Sequence, residues 1–453
     1  MAAVGKRDMT QGAEWKHILL FSLPIMAGNL LQQLYNTVDG IVVGNFVSQN
    51  ALAAAGTSGT LAFLFLAFSI GFGNGAGIMI AQLFGARQYD ELKSAVSTSL
   101  ILLVGMGAVF SVFGCVFARG LLHGLMNVAE GEVLELAVEY FTIYALGFIL
   151  QFIYNTVAAI LRAVGDSQAT LYFLLVSSVI NIGLDLLFVI SFRWGVAGAA
   201  IATVLSQLGS AAVSVAYMFK KYPIFRFAKG EFVFKREKCI LCLRLGVPNT
   251  IQQSIVSFGN IFMQRLVNSF GEAAMAAFTV GVRLESYLFV PAVGLSVGVS
   301  NFTAQNVGAG EIDRVKRGSR ASVGIVLIIA FTLELLSYIF AAPLARLFGV
   351  EGEALTLSIS YIRFLSFFFW MFAVYICYSG LFQGAGDVIF AMAGSLLSLA
   401  VRVIAAYTMV RVFGVDFSAV WIAMPIGWIF CLAMAVWRYL SGGWQEKGIV
   451  KHG

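Results

Sequence analysis

Charged residues are scarce in this sequence. Only 11% of its 453 residues are Asp, Glu, Lys or Arg, whereas 60% are hydrophobic; an average globular protein is about 25% charged. So few charges cannot cover the surface of a water-soluble protein of this length. The composition therefore excludes soluble enzymes, nucleic-acid-binding proteins and disordered scaffolds, and it indicates a polytopic membrane protein.

Residues that bind metals or phosphates are also few. The three histidines form no cluster, and the five cysteines are scattered without a disulfide framework. No GxxxxGK(S/T) sequence provides an ATP-binding loop. The longest loop offers only Glu231 and Glu237 as acids, too few for a membrane-embedded transferase. We therefore expect neither an enzyme nor a bound cofactor.

Long apolar runs make up most of the chain. A transmembrane helix needs about 20 apolar residues, and twelve such runs follow one another with short polar breaks. They lack the alternation of β-barrel strands. The sequence therefore predicts an all-α polytopic membrane protein with 12 transmembrane helices. The predicted spans are residues 17–45, 52–80, 94–117, 136–160, 168–190, 195–219, 240–267, 274–300, 320–342, 357–381, 388–411 and 417–439.

Basic residues are distributed unevenly between the two sides of these spans. Twenty-one Lys and Arg residues lie in the termini and the even-numbered loops, against six at most in the alternate loops. Under the positive-inside rule the more basic side is cytoplasmic. We therefore expect a multi-pass protein of the cell (plasma or inner) membrane, with both termini in the cytoplasm and no cleaved signal peptide.

The chain contains an internal repeat at a spacing of about 223 residues. AQLFGARQYDELK at Ala81 aligns with AQNVGAGEIDRVK at Ala304, and Pro24 aligns with Pro248. Because the matches are collinear, they indicate duplication of a six-span unit. Six is even, so two six-helix bundles should be related by a pseudo-twofold axis along the membrane normal. The predicted domains are an N-terminal lobe at 1–219, a basic cytoplasmic linker at 220–238 and a C-terminal lobe at 239–453.

Two features outside the spans have ordinary structural interpretations. The linker is rich in Lys and Arg, so it either lies on anionic lipid headgroups or is a solvated cytoplasmic loop. Asp166 and Asp387 each follow a glycine just before a new helix. They are expected to cap those helices rather than to take part in chemistry.

Polar side chains inside the spans indicate functional positions, because an ionisable group at the bilayer centre costs about 2.5–3.5 kcal/mol. In the first span, Asn36 and Asp39 share a polar face beyond Pro24, which can act as a hinge. In the fifth span, Asn181 and Asp185 are four residues apart on one face. Two buried acids would hold a proton or a cation, and their oxygens also suit Na⁺. A buried, hydrogen-bonded structural pair is the alternative.

The second half of the sequence departs from this pattern. Asp39 aligns with Met263, and the best acidic candidate is Glu285, with Arg283 nearby. Glu285 either holds a positively charged substrate or forms a structural ion pair. Glu334 is a lone acid that we expect to pack against another helix. A substrate site is expected near the midplane between the halves; its predicted lining is Gln33, Asn36, Asn155, Gln253, Asn260, Arg283 and Glu285.

The sequence resembles the multidrug and toxic compound extrusion (MATE) transporters. The resemblance is carried by LPIMAGNLLQQLYNTVDGIVVG, the repeated AQxxGA segments, LRAVGD, NIGLD, GVAGAAIAT and FQGAGD. It implies two six-helix lobes in a V around a central cavity, and export of small amphipathic, often cationic compounds driven by inward H⁺ or Na⁺. It also implies a coupling site formed by Asp39, Asn181, Asp185, Ala199 and Thr203, of which Asp39, Asn181 and Asp185 would ligate the metal if the ion is Na⁺.

The sequence differs from the family pattern in two respects. Leu186 stands where many relatives have proline, and the acidic ion-site residues that other relatives carry on helices seven and ten are missing. Coupling in the second half is therefore not expected, and Glu285 resembles a feature of exporters from Gram-positive bacteria.

Alternative functions fit the sequence less well. A lipid-linked oligosaccharide flippase of the same superfamily would need a cationic cavity, yet only Arg283 and Arg402 lie within spans. A passive channel would leave the paired acids without a coupling role. The expected partners are small organic substrates and the lipid bilayer, without nucleic acid, and the expected state is a monomer.

Overall fold

The computed structural model describes residues 7–450, with the backbone alone for residues 35–46, 256–258, 260 and 261. Within these residues every regular element is helical, and no β-strand occurs. The α-helices are α1 (Glu14–Phe46), α2 (Gln49–Gly85), α3 (Tyr89–Gly120), α4 (Glu132–Leu146), α5 (Phe148–Ala163), α6 (Ser167–Asp185), α7 (Gly195–Lys221), α8 (Arg236–Val267), α9 (Glu272–Gly308), α10 (Ile312–Ile339), α11 (Ala341–Leu347), α12 (Gly352–Leu365), α13 (Phe369–Ala385), α14 (Val388–Arg411) and α15 (Ser418–Ser441).

Each predicted span coincides with one long helix or with a bent pair of helices. Among the described residues, nine helices are long and apolar enough to cross a membrane, and two bent pairs bring the number to eleven. The remaining predicted span is α8, a helix of 32 residues that is less apolar because it contains Arg236, Lys238, Arg244 and Arg265. The prediction of an all-α polytopic fold is confirmed.

The fourth span of each half is broken. α4 and α5 meet at a bend of 45°, and α12 and α13 meet at a bend of 54°. The first amide groups of a helix have no partner within it, and here a neighbouring helix supplies one. The Ile149 N–H donates to Ser111 Oγ at 3.1 Å, and the Trp370 N–H donates to Glu334 Oε1 at 2.7 Å. The expectation that Glu334 packs against another helix is therefore confirmed.

The chain divides into two compact units whose limits differ from those of the sequence halves. The first unit comprises Met1–Asp8 and Ala27–Thr250, and the second comprises Met9–Met26 and Ile251–Gly453. The beginning of α1 thus belongs to the second unit, and the beginning of α8 belongs to the first. The predicted lobes, 1–219 and 239–453, are the two six-span halves of the sequence, and they stay a prediction. The compact units differ from these halves because the beginning of α1 lies in the second unit and the beginning of α8 lies in the first.

Glycines of the repeat allow the beginnings of α1 and α8 to pack closely against helices of the unit in which they lie. In the first unit, a Cβ atom at Gly71 of α2 would overlap Thr250 of α8. In the second unit, a Cβ atom at Gly294 of α9 would lie 2.5 Å from Cγ of Met26 in α1. Only glycine permits such an approach between helix backbones. Because Gly71 and Gly294 align in the repeat, each half provides the same type of surface for the exchanged helix.

Candidate functional site

Helices α6 and α7 bring together predicted coupling residues of the fifth and sixth spans. Asn181 and Asp185 lie one turn apart on α6, Ala199 and Thr203 lie one turn apart on α7, and none of the four is more than 5% exposed. Asn181 Nδ2 donates to Thr203 Oγ1 at 3.5 Å, and the Thr203 hydroxyl donates to the Ala199 carbonyl at 3.0 Å. The structure thus links Asn181, Thr203 and Ala199, and it places Asp185 one turn further along α6.

The amide oxygen of Asn181 is buried and accepts no hydrogen bond from the residues that the structure describes. Leaving such an acceptor unsatisfied costs about 1–3 kcal/mol, and amide oxygens are suitable ligands for hard cations. The side chain of Asp39 lies outside the described residues, so its pairing with Asp185 stays a prediction. Over the described part of the chain, no group of three or more His, Cys, Asp and Glu side chains could hold a metal ion.

The backbone changes geometry directly after Asp185. Leu186–Ser191 continue α6 as a turn of π-helix, after which the Phe192 N–H donates to the Leu187 carbonyl at 2.9 Å. Helix α6 therefore loses its regular α-helical geometry beside its buried acid, and leucine rather than proline follows that acid.

The structure describes the side chains of some of the predicted substrate-lining residues. Asn155 of α5 is half-buried and donates to Ser69 Oγ at 3.1 Å, within the first unit. Gln33 and Gln253 are half-buried as well. The side chains of Asn36 and Asn260 lie outside the described residues. A shared lining for these residues stays a prediction.

Glu285 of α9 has a different partner from the one that the sequence suggests. The Tyr361 hydroxyl of α12 donates to Glu285 Oε1. Tyr361 comes close because Gly281 precedes Glu285 by one turn, and a Cβ atom at Gly281 would overlap the Tyr361 ring. Arg283 is exposed, and its pairing with Glu285 is not found among the salt bridges of the described residues.

Glu285 and Tyr361 line a cavity of about 370 Å³ inside the second unit, together with Glu334. Sequence reasoning did not connect these three side chains, which lie on helices far apart along the chain. The repeat gave no signal either, because Ala62 and Ser111 occupy the positions in the first half that align with Glu285 and Glu334.

An all-helical fold made of two homologous halves, with polar and acidic side chains buried among apolar helices, defines a multi-pass membrane transporter rather than an enzyme. Comparison with known proteins gives the family. A family model described as MatE matches residues 24–187 and 248–408. The chain therefore belongs to the MATE family.

Individual relatives match over nearly the whole length. The chain is 30% identical over 445 residues to the probable multidrug resistance protein YoeA of Bacillus subtilis (strain 168), covering 96% of each protein. Two solved structures of MATE, one in the bent and one in the straight conformation, are 26% and 25% identical to the chain. Each covers 99% of both chains with a TM-score of 0.91.

Proposed function

We propose that the protein is a cation-coupled multidrug antiporter, which exports amphipathic and often cationic compounds in exchange for H⁺ or Na⁺. The observation that carries this proposal is the buried polar cluster on α6 and α7. It contains a carboxyl group, Asp185, and the amide oxygen of Asn181 that no described residue satisfies. Intramembrane acids are functional by default because burying them is costly. The name of the relative YoeA supports drugs as the exported class.

Coupling would work through occupation of this cluster by the ion. An incoming cation would be held by Asp39, Asn181 and Asp185, with the small Ala199 leaving space and Thr203 supplying a hydroxyl. If Na⁺ is the ion, these oxygens are its ligands; if H⁺ is the ion, a carboxyl group takes it. Occupation would change α1 near Pro24, where the helix lacks one backbone hydrogen bond. The change in α1 would then expel the substrate.

The protein would act as a monomer in the cell membrane with both termini in the cytoplasm. The support for this orientation is the concentration of basic residues in the termini and even-numbered loops. Coupling to an ion gradient would supply the free energy for export, since the sequence has no P-loop.

Transport of ethidium into proteoliposomes tests the proposal. A pH gradient or a Na⁺ gradient is imposed separately while the ethidium gradient is held fixed, and the coupling ion is the one whose gradient accelerates transport. Asp39→Asn and Asp185→Asn should each lower coupled transport at least about tenfold, equivalent to about 1.4 kcal/mol of lost driving interaction.

The matched control is Asp313→Asn, which removes the same charge from a side chain that is 86% exposed. It should transport as the wild type does. Wild-type coupled transport by both Asp39→Asn and Asp185→Asn would exclude the coupling site, and failure of both gradients to drive transport would exclude the antiporter.

A further inference from the structure

The second unit contains a cavity that the proposed coupling site does not use. It has a volume of about 370 Å³, with walls from α9 to α13 and from Trp428 of α15. Leu347 lines it and is 80% exposed, so the cavity extends to the surface of the unit. Small-molecule sites are typically about 300–1,000 Å³ in volume and combine apolar walls with a few polar groups. The cavity is therefore large enough for a compact organic molecule.

Two carboxyl groups face this mostly apolar space. Glu285 accepts a hydrogen bond from Tyr361, and Glu334 accepts one from the Trp370 backbone. Each bond uses only Oε1, and within the described residues the second oxygen of each carboxyl group accepts no hydrogen bond. Neither glutamate forms a salt bridge to a described residue within 4.0 Å. The cavity thus contains two carboxyl oxygens that accept no hydrogen bond from the described residues.

The structural role of Glu334 does not require a charge. At the aligned position of the first half, the Ser111 hydroxyl satisfies the Ile149 N–H at the start of α5, just as Glu334 satisfies the Trp370 N–H at the start of α13. A neutral side chain is therefore sufficient to cap the broken fourth span. The carboxyl group of Glu334 is thus an ionisable group that the cap does not require, and its charged form is costly in this buried place unless it is paired.

No basic side chain is among the described residues that line the cavity. Arg402 of α14 acts electrostatically on Glu285 but is not a lining residue. A positively charged group bound between the two carboxyl groups would favour their ionised forms, because an opposite charge nearby stabilises a carboxylate. The cavity is therefore complementary to a positively charged ligand.

The walls are suited to a cation with aromatic or other apolar groups. Six aromatic rings line the space: Tyr287, Phe289, Phe348, Tyr361, Phe369 and Trp428. An organic cation near such a ring is attracted by the ring quadrupole. A small hydrated metal ion would not fill the volume or use these faces. An acyl chain would fill the volume but would leave the second oxygen of each acid without a partner.

We propose that this cavity is a binding site for an amphipathic organic cation, held between Glu285 and Glu334 with its apolar groups against the aromatic walls. The proposal deepens the proposed function, and it rests on that function for the class of substrate. It assigns recognition of the organic cation to the second unit, apart from the coupling residues Asn181 and Asp185 of the first unit.

Binding of ethidium to the purified full-length protein in phosphatidylcholine nanodiscs tests this site without requiring transport. Fluorescence anisotropy gives the dissociation constant. Glu285→Gln and Glu334→Gln should each weaken binding on the order of tenfold, because a charge-assisted contact is lost. Glutamine still offers an oxygen to Tyr361 or to the Trp370 N–H, so the fold should be retained.

Two further variants separate charge from space. Glu353→Gln removes an exposed acid from α12 and is expected to bind ethidium as the wild type does. Ser337→Leu keeps both acids but fills part of the cavity, since Ser337 lines it and is 5% exposed. It should weaken ethidium binding at least about tenfold. This variant also tests the site if a glutamate variant fails to fold.

The binding and transport results are independent. Asp185→Asn should lose coupled transport and keep its affinity for ethidium to within about twofold, a difference of about 0.4 kcal/mol. Charge-dependent binding without any coupled transport would refute the antiporter and support the cavity. Unchanged affinity in Glu285→Gln, Glu334→Gln and Ser337→Leu would overturn the cavity proposal whatever the transport result, and a lipid chain would then be the better occupant.

Discussion

At the scale of single residues, the repeated Gly-Asp turns show how similar sequences acquire different contacts. Asp166 Oδ1 accepts the Ala169 N–H at 3.2 Å, so the predicted N-cap is confirmed. Asp387 occupies the same position before α14, but its side chain makes no capping hydrogen bond. The prediction for Asp387 is therefore wrong. Its carboxylate forms a salt bridge with the guanidinium of Arg438 at 2.7 Å instead.

Asp166 also joins a buried network at the end of α7. Its Oδ2 accepts hydrogen bonds from Tyr222 at 2.7 Å and from Tyr217 at 2.9 Å, and it forms a salt bridge with Lys221 at 3.1 Å. Burial, with the Asp166 carboxylate adding in the same direction, raises the pKa of Tyr222 far above its usual range. The Tyr222 hydroxyl therefore keeps its proton and remains a donor to Asp166 at physiological pH.

Replacing Asp166 should destabilise the protein strongly. Asp166→Ala leaves Lys221 without its acid and removes the cap of α6, and breaking a buried pair costs about 3–5 kcal/mol. Because Lys221 is 39% exposed, we expect the lower part of that range, about 3 kcal/mol. The measurement is the temperature at which the detergent-solubilised protein loses its monodisperse elution peak. Asp313→Ala is the control, and equal melting temperatures for the two variants would contradict the expectation.

At the scale of elements, the linker between the halves is docked on protein rather than simply solvated. Thr98 of α3 accepts the Lys235 N–H at 3.0 Å, and Glu91 forms salt bridges with Lys235 at 3.3 Å and Lys238 at 2.8 Å. The Glu231 carboxylate pairs with Lys93 at 3.0 Å. The Ala228 N–H and this lysine lower the pKa of Glu231. Part of the basic charge of the linker, for which the sequence allowed either lipid headgroups or solvent, is therefore paired within the first unit.

Neutralising Glu91 should loosen the linker. Glu91→Gln removes the acid shared by Lys235 and Lys238, and a salt bridge at a protein surface contributes about 0.2–1 kcal/mol. We expect limited trypsin digestion in the linker to be a few-fold faster, in proportion to the larger open population. Asp90→Asn changes the neighbouring exposed acid and should be cleaved at the wild-type rate. Equal cleavage rates for all three proteins would show that the salt bridges do not hold the linker.

At the scale of the whole molecule, the sequence predicted the elements well and their tertiary contacts poorly. Hydropathy located each span because the bilayer imposes a length on every crossing helix. The breaks in the fourth spans were not predicted, because they depend on capping by Ser111 and Glu334 from another helix. The four-residue spacing placed Asn181 and Asp185 on one face, but no pattern within a single helix could bring Tyr361 and Glu334 to Glu285.

The aligned prolines Pro24 and Pro248 occupy equivalent positions in α1 and α8, the two helices that pass from one unit to the other. Pro24 and Pro248 each lie two residues before the point where α1 or α8 passes from one unit to the other. A proline inside a helix removes one backbone hydrogen bond and favours a kink. Both helices continue from one unit into the other at these points. Pro248 is therefore expected to be a hinge in the same sense as Pro24.

Pro24→Ala and Pro248→Ala should both slow ethidium transport in proteoliposomes, on the order of tenfold, because hinge changes commonly alter turnover without removing a ligand contact. Ethidium affinity in nanodiscs should stay within about twofold of the wild type. Pro425→Ala is the matched control, since Pro425 lies inside α15 and hence wholly within the second unit. If Pro248→Ala transports as fast as Pro425→Ala while Pro24→Ala is slow, α1 alone is the hinge, and the structural equivalence of the two prolines does not extend to function.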